Sequence, residues 1–437
     1  MKVSIYSLGC KVNLYESEYV TNLLKDNGYE IVSFNETADI YIVNTCTVTN
    51  ESDRKSRKVI NSCRKKNKNA IVIAMGCYSQ IKHNDVDADI IVGNKYKSDL
   101  INIIDDFINK KNRIDMVCDL QGSDFEDMEI NSFANHSRAF VKIQDGCNAF
   151  CTYCIIPYSR GPIRSKSEDK VIEEITNLVN NGYKEIVLTG IHTGKYGADI
   201  NSSLEKLLSK IILIKGLYRV RLSSIEINEI TDGILDLMKK SNIIANHLHI
   251  PLQSGSNTIL KSMNRKYDKE YFINRIEEIR KIRNDISITT DLIVGFPGET
   301  DELFLETLDT IEKLKFMHIH TFPYSKRDGT VAASMENQIN GLVKKERVHK
   351  VLEISNKYEE EFYKNSIGCI YDGVVEKRKD GRFIVHTSNF IPVNINSDVV
   401  DNDIVKVRVL SVDNLNVYGE IVREWLYEFS SFSGRNG

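Results

Sequence analysis

The chain has 437 residues, 41% of them hydrophobic and 27% charged, with only 6 Pro and 24 Gly. That length holds two to four domains of about 100 to 200 residues, and the composition excludes a collagen-like or disordered chain. With 58 Lys+Arg against 61 Asp+Glu the net charge is −3, so attraction to a polyanion has to come from a local patch and not from the whole-chain field.

In chain order, residues 1–114 alternate short β-branched runs with helical ones: VSIYSL, a helix from about Ser17 to Asn27, DIYIVN, a helix from Glu51 to Lys66, AIVIAM and DIIVG. This pattern predicts βαβ units, hence an α/β, doubly wound parallel-sheet domain. The polar, acidic stretch 115–135 reads as a linker. From 136 to 364 the alternation continues through AFVKI, EIVLTG, YRVRLSS, HLHIPL, ITTDLIVGF and HIHTFPY, six βα repeats that predict a barrel or an incomplete (β/α)6 barrel. Residues 366–427 change to short strands and turns (YDGVVEK, GRFIVHT, FIPVNI, DIVKVRVL, YGEIV), the pattern of a small all-β barrel. No apolar run reaches the roughly 18 to 20 residues that span a bilayer, and Val3 to Leu8 is too short for a secretory core, so a cytoplasmic protein without a membrane partner is expected.

The 9 Cys are an odd number in such a chain, which favours metal or catalytic use over disulfides. Cys147, Cys151 and Cys154 form a C-x3-C-x2-C loop in GCNAFCTYC, directly after AFVKI. Three thiolates at this spacing hold three irons of a cubane and leave the fourth open to a substrate. The alternative is a zinc site completed by His136 or Cys118 folding back. Cys10, Cys46 and Cys77 each follow an apolar strand, in SLGCKVN, NTCTVTN and MGCYSQ. The carboxyl ends of parallel strands line one crevice, so these three converge on a second three-thiolate site; the alternative is three unrelated buried thiols. Cys63, Cys118 and Cys369 fall outside both triads.

The cluster loop resembles that of the radical S-adenosylmethionine superfamily. Together with SLGCKVN, VNTCTVTN, GCYSQ, GCNAFCTYCIIPYSRG, HLHIPLQSGSN and DLIVGFPGET, it makes nearly the whole chain similar to the methylthiotransferases, with a terminal barrel like a TRAM domain. The resemblance implies a radical S-adenosylmethionine barrel, two four-iron, four-sulfur (4Fe-4S) clusters, and two S-adenosylmethionine molecules per turnover, one methylating sulfur at the N-terminal site and one supplying a 5′-deoxyadenosyl radical. It places Tyr153 near the adenine, Gly190, Ser224 and Glu226 at the amino, ribose or carboxylate groups, and Gln253 and the GFPG turn at the same mouth; for each, core packing or turn chemistry is the alternative. His249 and His320 read as core or rim residues.

Branches of the family act on threonylcarbamoyladenosine or isopentenyladenosine in tRNA, or on an aspartate of a ribosomal protein. LTGIHTGKYG, Leu188 to Gly197, resembles the threonylcarbamoyladenosine branch, implying C2 methylthiolation of that nucleoside at position 37 of ANN-decoding tRNA, with an electron donor and a sulfur source as further partners. The rivals are the same reaction on isopentenyladenosine and a non-catalytic iron-sulfur sensor that binds RNA. Arg54, Lys55, Arg57, Lys58, Arg64, Lys65, Lys66 and Lys68 form a basic run without an acid, suited to phosphates or to a solvated helix face. In the terminal module Lys377 to Arg382, with Phe383 or Phe390 for base stacking, is a weaker RNA contact.

Overall fold

Six short parallel strands, in spatial order Glu30–Ile31, Lys2–Ser7, Ile40–Thr45, Ile71–Gly76, Ile90–Val92 and Ile114–Met116, build the N-terminal sheet. The computed structural model describes residues 1–130, 132–133, 137–378, 381–397 and 399–422; His136, Lys379 and the end of the terminal module, including Arg423, lie outside them. The central strands are buried along their whole length, as β-branched runs covered on both faces require. The order reverses between Lys2–Ser7 and Ile40–Thr45, and in an open α/β sheet the crevice outside the carboxyl ends at such a reversal is where ligands bind.

The first helix runs Lys11–Asp26 and starts directly after Cys10, six residues earlier than the hydrophobic pattern predicts. Its first turns bury the polar Asn13 and Glu16 beside Val12 and Tyr15, because this face meets the second domain and not an apolar core. The described residues of 115–135, expected as a linker, pack as a strap. Ile114–Met116 is the sheet's sixth strand, Leu120, Met128, Ile130 and Phe133 are buried, and the Met128 carbonyl accepts from Tyr15 Oη at 2.6 Å and Lys166 Nζ at 2.8 Å.

Arg138–Lys142, Glu185–Thr189, Arg219–Leu222, His247–His249, Ser287–Val294 and His318–Pro323 are the six barrel strands, parallel and in sequential order. Two three-stranded sheets are joined through the bridges Val220 to Ile244 and Ser224 to His249, giving an incomplete barrel whose interior continues into one apolar core. The helix Gly341–Asn365 leads into a closed five-stranded barrel: Ile370–Lys377, Phe383–Thr387, Pro392–Ile395, Asn416–Ile421 and Ile404–Asp413. No helix among the described residues is long and apolar enough to cross a membrane.

The terminal barrel docks through charge. Arg219 and Arg221, almost fully buried, share Glu185 at 3.0 and 2.5 Å; Arg219 reaches the His386 carbonyl at 3.2 Å and Asp372 Oδ2 at 2.5 Å, and Arg221 the Thr387 and Ser388 carbonyls at 2.5 and 3.0 Å. Phe390, considered above for base stacking, is committed elsewhere: it stacks on His247 with centroids 4.6 Å apart and lies 5.2 Å from the Arg221 guanidinium, so the RNA-facing reading of this ring is corrected.

Burial works against the Glu185 charge, yet Arg221, Arg219 and Arg138 hold its carboxyl down from 4.5 to about 2. A carboxyl depressed in the folded state stabilises above its unfolded value, and that stabilisation is lost as pH falls through the folded one. Domain docking is therefore expected to weaken between about pH 4.5 and 2. Glu185→Ala, which leaves the buried Arg221 guanidinium without a carboxylate, is expected to cost about 3–5 kcal/mol and to lower the thermal midpoint at pH 7; an unchanged midpoint contradicts this docking layer.

Candidate functional site

Each thiol of the first triad sits where a strand ends. Cys10 is the N-cap of the helix Lys11–Asp26, Cys46 follows Ile40–Thr45, and Cys77 opens the short helix Cys77–Lys82. Two of the three therefore stand at helix N-termini, where the backbone dipole favours a thiolate. Cys10 is exposed to solvent, yet the surrounding protein raises its pKa by desolvation, against the opposing Arg160 charge and with the nearby Cys77. Cys46 is likewise raised by burial, with Cys77 and Cys10 adding to the effect, so the three thiols share one electrostatic site. Gly9, with φ +100, is needed there, since a Cβ would lie 3.0 Å from Cys46 Sγ.

The second triad is pinned by backbone bonds. Cys147 N donates to the Gly161 carbonyl at 3.0 Å and Cys154 N to the Cys151 carbonyl at 2.9 Å, while Thr152 N and Oγ1 reach the Met263 and Ser262 carbonyls at 3.1 and 2.8 Å. Burial, with Cys151 and Cys147 nearby, pushes the Cys154 thiol up to about 12. Cys147 Sγ lies 3.3 Å from His192 Nδ1, whose Nε2 is 2.8 Å from Glu229; Arg265 donates to Cys151 Sγ at 3.4 Å and pairs with Glu226. No cysteine is in a disulfide, and no group of three or more Cys, His, Asp or Glu side chains already placed to hold a metal ion occurs among the described residues. Cys118 stands beside Tyr96, Cys63 is a core thiol raised to about 11 by burial, and Cys369 is exposed. Three free thiols at each site, with a positive-φ glycine before Cys10 and before Cys147, are the donor set a thiolate-ligated cluster requires.

The remaining residues expected at the site are placed as follows. Gly190 ends the strand Glu185–Thr189 against Gln144, whose Oε1 accepts from His192 N at 2.7 Å. Ser224 is exposed at the strand-end bridge to His249, and Glu226 is half-buried in its Arg265 pair. Gln253, at φ +63, bridges to Leu292. Tyr153 packs against the cluster of Ile259, Met263, Phe296, Tyr324 and Ala332, so its ring is shared between the mouth and a satellite core. His249 and His320 lie on the rim, ring centroids 5.6 Å apart. The basic run divides: Lys55, Arg57, Lys58, Lys65 and Lys68 are exposed, Arg54 is exposed but paired with Glu51, Arg64 bonds Asp89 at 2.9 Å, and Lys66 covers the Phe34 ring and donates to its carbonyl.

Sequence reading missed the charges that join the two sites. Arg160 is fully buried and donates to Glu16 at 2.6 Å, Asn13 at 2.7 Å, Asp145 at 3.1 Å and Cys77 Sγ at 3.2 Å. Lys142 bonds Glu16 at 2.9 Å and Asp145 at 2.6 Å. On the other flank Arg327 holds Asn50, Thr47 and Asp53 at 2.5, 2.8 and 2.7 Å, beside Cys46. Two barrel arginines thus grip the N-terminal domain on either side of its cysteines.

Residues 141–311 match the family model of the radical SAM superfamily, and residues 2–93 that of an uncharacterized protein family, UPF0004. The chain is 42% identical over 434 residues, 96% of each chain, to the threonylcarbamoyladenosine tRNA methylthiotransferase MtaB of Bacillus subtilis. The chain belongs to the tRNA methylthiotransferase family. A second relative, the tRNA-2-methylthio-N(6)-dimethylallyladenosine synthase of Carboxydothermus hydrogenoformans, is 35% identical over 96% of this chain and 98% of its own. Among solved structures, the radical S-adenosylmethionine methyltransferase TsrM of Kitasatospora setae, with cobalamin and a [4Fe-4S] cluster bound, superposes with a TM-score of 0.53 at 14% identity over 76% of this chain and 77% of that one, a likeness of fold. This methylthiotransferase is accordingly a radical enzyme that uses S-adenosylmethionine and 4Fe-4S clusters, and acts on tRNA.

Gly146, at φ +75, precedes Cys147, and a Cβ there would lie 1.8 Å from the Pro162 carbonyl oxygen. Gly146→Ala is expected to displace the Cys147 loop and lose about half of the iron taken up on anaerobic reconstitution. Gly341→Ala, where a Cβ meets nothing within 4 Å, is the control that keeps full iron.

Proposed function

We propose that this enzyme converts threonylcarbamoyladenosine at position 37 of ANN-decoding tRNA into its 2-methylthio form in the cytoplasm. The observation that carries this reading is the loop Leu188–Gly197, which follows a barrel strand and brings His192 and Lys195 to a cavity of about 220 Å³ beside Cys151. Beside the apolar Ala149, Ile163 and Tyr267, that cavity presents Lys195, Lys266, Asn148, Asn228 and Asn264, whose ammonium and amide groups can meet a substituent bearing a carboxylate and a hydroxyl. Relatives named for threonylcarbamoyladenosine share 38–42% identity with this chain, those named for dimethylallyladenosine 33–36%.

Cys147, Cys151 and Cys154 hold one 4Fe-4S cluster, and Cys10, Cys46 and Cys77 hold the other, at which sulfur is carried. Bound S-adenosylmethionine supplies the 5′-deoxyadenosyl radical that acts at adenine C2 and, from a second molecule, the methyl group. Gly190, Ser224, Glu226 and Gln253 offer it backbone and polar contacts at successive strand ends, and Tyr153 offers a ring face. An electron donor and a sulfur source complete the turnover. The exposed Lys55, Arg57, Lys58, Lys65 and Lys68 meet tRNA phosphates.

Nucleoside mass spectrometry of tRNA from a deletion strain tests the substrate. Loss of the methylthio group from threonylcarbamoyladenosine alone is expected; loss from isopentenyladenosine contradicts the reading. Reconstituted protein is expected to bind about eight irons, with each triple Cys→Ala variant keeping about four. Cys10→Ala, Cys46→Ala and Cys77→Ala should still form 5′-deoxyadenosine while losing methylthio transfer; product from all three refutes a sulfur-carrying site there.

Reversing Lys55, Lys58, Lys65 and Lys68 to Glu should weaken tRNA binding and flatten its salt dependence by about 0.9 log unit per lost phosphate contact. An unchanged slope assigns these side chains to solvent.

A further inference from the structure

The sequence places Arg160 in the radical domain, in the short helix Ile156–Arg160 that begins two residues after Cys154. Its side chain leaves that domain. The guanidinium is enclosed on all sides, and its Nε points at Cys77 Sγ, 3.2 Å away, in the N-terminal triad. Three further contacts aim it. Glu16 and Asp145 take Nη1, and Asn13 takes Nη2 at 2.7 Å. Asn13 in turn donates to the carbonyls of Leu8 and Thr45 at 2.7 and 2.9 Å, two residues before Cys10 and one before Cys46. The preceding residue, Ser159, donates its hydroxyl to the Cys77 carbonyl at 3.2 Å. One short helix therefore touches the sulfur and backbone of Cys77 directly and, through Asn13, the chain just before Cys10 and Cys46.

The charges around it are unequal. Arg160, Lys142, Lys97 and Arg164 face only Glu16 and Asp145 within the network. Lys97 Nζ is fully buried, makes no hydrogen bond, and has only Glu16 at 3.5 Å. Unbalanced buried cations beside a thiol triad are stabilised by negative charge at that triad.

We propose that Arg160 is the hydrogen-bond donor of the N-terminal cluster site, a positioning residue by which the radical domain holds that cluster against the barrel mouth and sets its reduction potential. This rests on the reading that Cys10, Cys46 and Cys77 hold a cluster. A charged donor to a ligating sulfur stabilises the reduced, more negative cluster and raises its potential. Lysine keeps the charge but cannot place one donor on Cys77 and two more on Glu16 and Asn13.

The test uses the full chain with Cys147, Cys151 and Cys154 changed to Ala, so that only the N-terminal cluster gives a signal, and with ¹⁵N-arginine incorporated. After anaerobic reconstitution and chemical reduction, pulsed electron paramagnetic resonance is expected to show a hyperfine coupling from an arginine ¹⁵N. Adding Arg160→Lys should abolish that coupling and move the midpoint potential to more negative values at equal iron content. About four irons without arginine coupling overturns the role of Arg160 while leaving the cluster in place. Absence of iron overturns the N-terminal cluster itself, and this proposal with it. If Arg160→Lys fails to fold, the coupling in its parent decides alone; if it folds with coupling and potential unchanged, the proposal is wrong.

Discussion

A guanidinium with no exposed surface has to be met by charge and hydrogen bonds from every direction, and at Arg160 those partners come from two domains. Glu16 and Asn13 belong to the first helix, Asp145 to the barrel, and Cys77 to the sheet end. None can be withdrawn without stranding another charge in a low-dielectric interior, where removing one partner of a buried pair costs about 3–5 kcal/mol. Such a network adds little net stability over an apolar interface, but it tolerates few geometries. The orientation of the N-terminal sheet on the barrel follows from it, and Arg327 repeats the device on the Cys46 flank.

From that orientation the shared mouth follows. The carboxyl ends of the N-terminal strands carry Cys10, Cys46 and Cys77, and those of the barrel strands lead to Cys147, Gly190, Ser224 and Gln253. Both sets are strand-end positions at which α/β sheets bind ligands. The terminal barrel, held by carbonyl acceptors for Arg219 and Arg221, packs beside the opposite, amino-terminal part of these barrel strands. It is therefore part of the barrel's own polar satisfaction as well as a neighbouring module.

All six barrel strands and five terminal strands were legible in the sequence, because β-branched runs between turns carry their own period. So were the places of Cys10, Cys46 and Cys77 just past apolar strands, and of the Cys147 to Cys154 loop after AFVKI. The first helix began earlier than its pattern because Asn13 and Glu16 are buried against charge, which a hydrophobic period reads as surface. The same blindness hid Lys142 within AFVKI and the Arg219 and Arg221 pair within YRVRL, although charged residues in strands otherwise fit for burial were a usable signal of a polar interface. Arg64 and Lys66 could not be separated from the free lysines of their helix, since their partners Asp89 and Phe34 are distant in sequence.

The central claim is that buried charge fixes two three-thiolate sites at one mouth. Anomalous diffraction at the iron edge from crystals of the reconstituted protein measures this directly. Two iron peaks are expected, one at each triad, both opening on the carboxyl ends of the barrel strands with Arg160 between them. A single peak at Cys147, Cys151 and Cys154, or a second peak turned away from the mouth with Arg160 no longer beside Cys77, would contradict it.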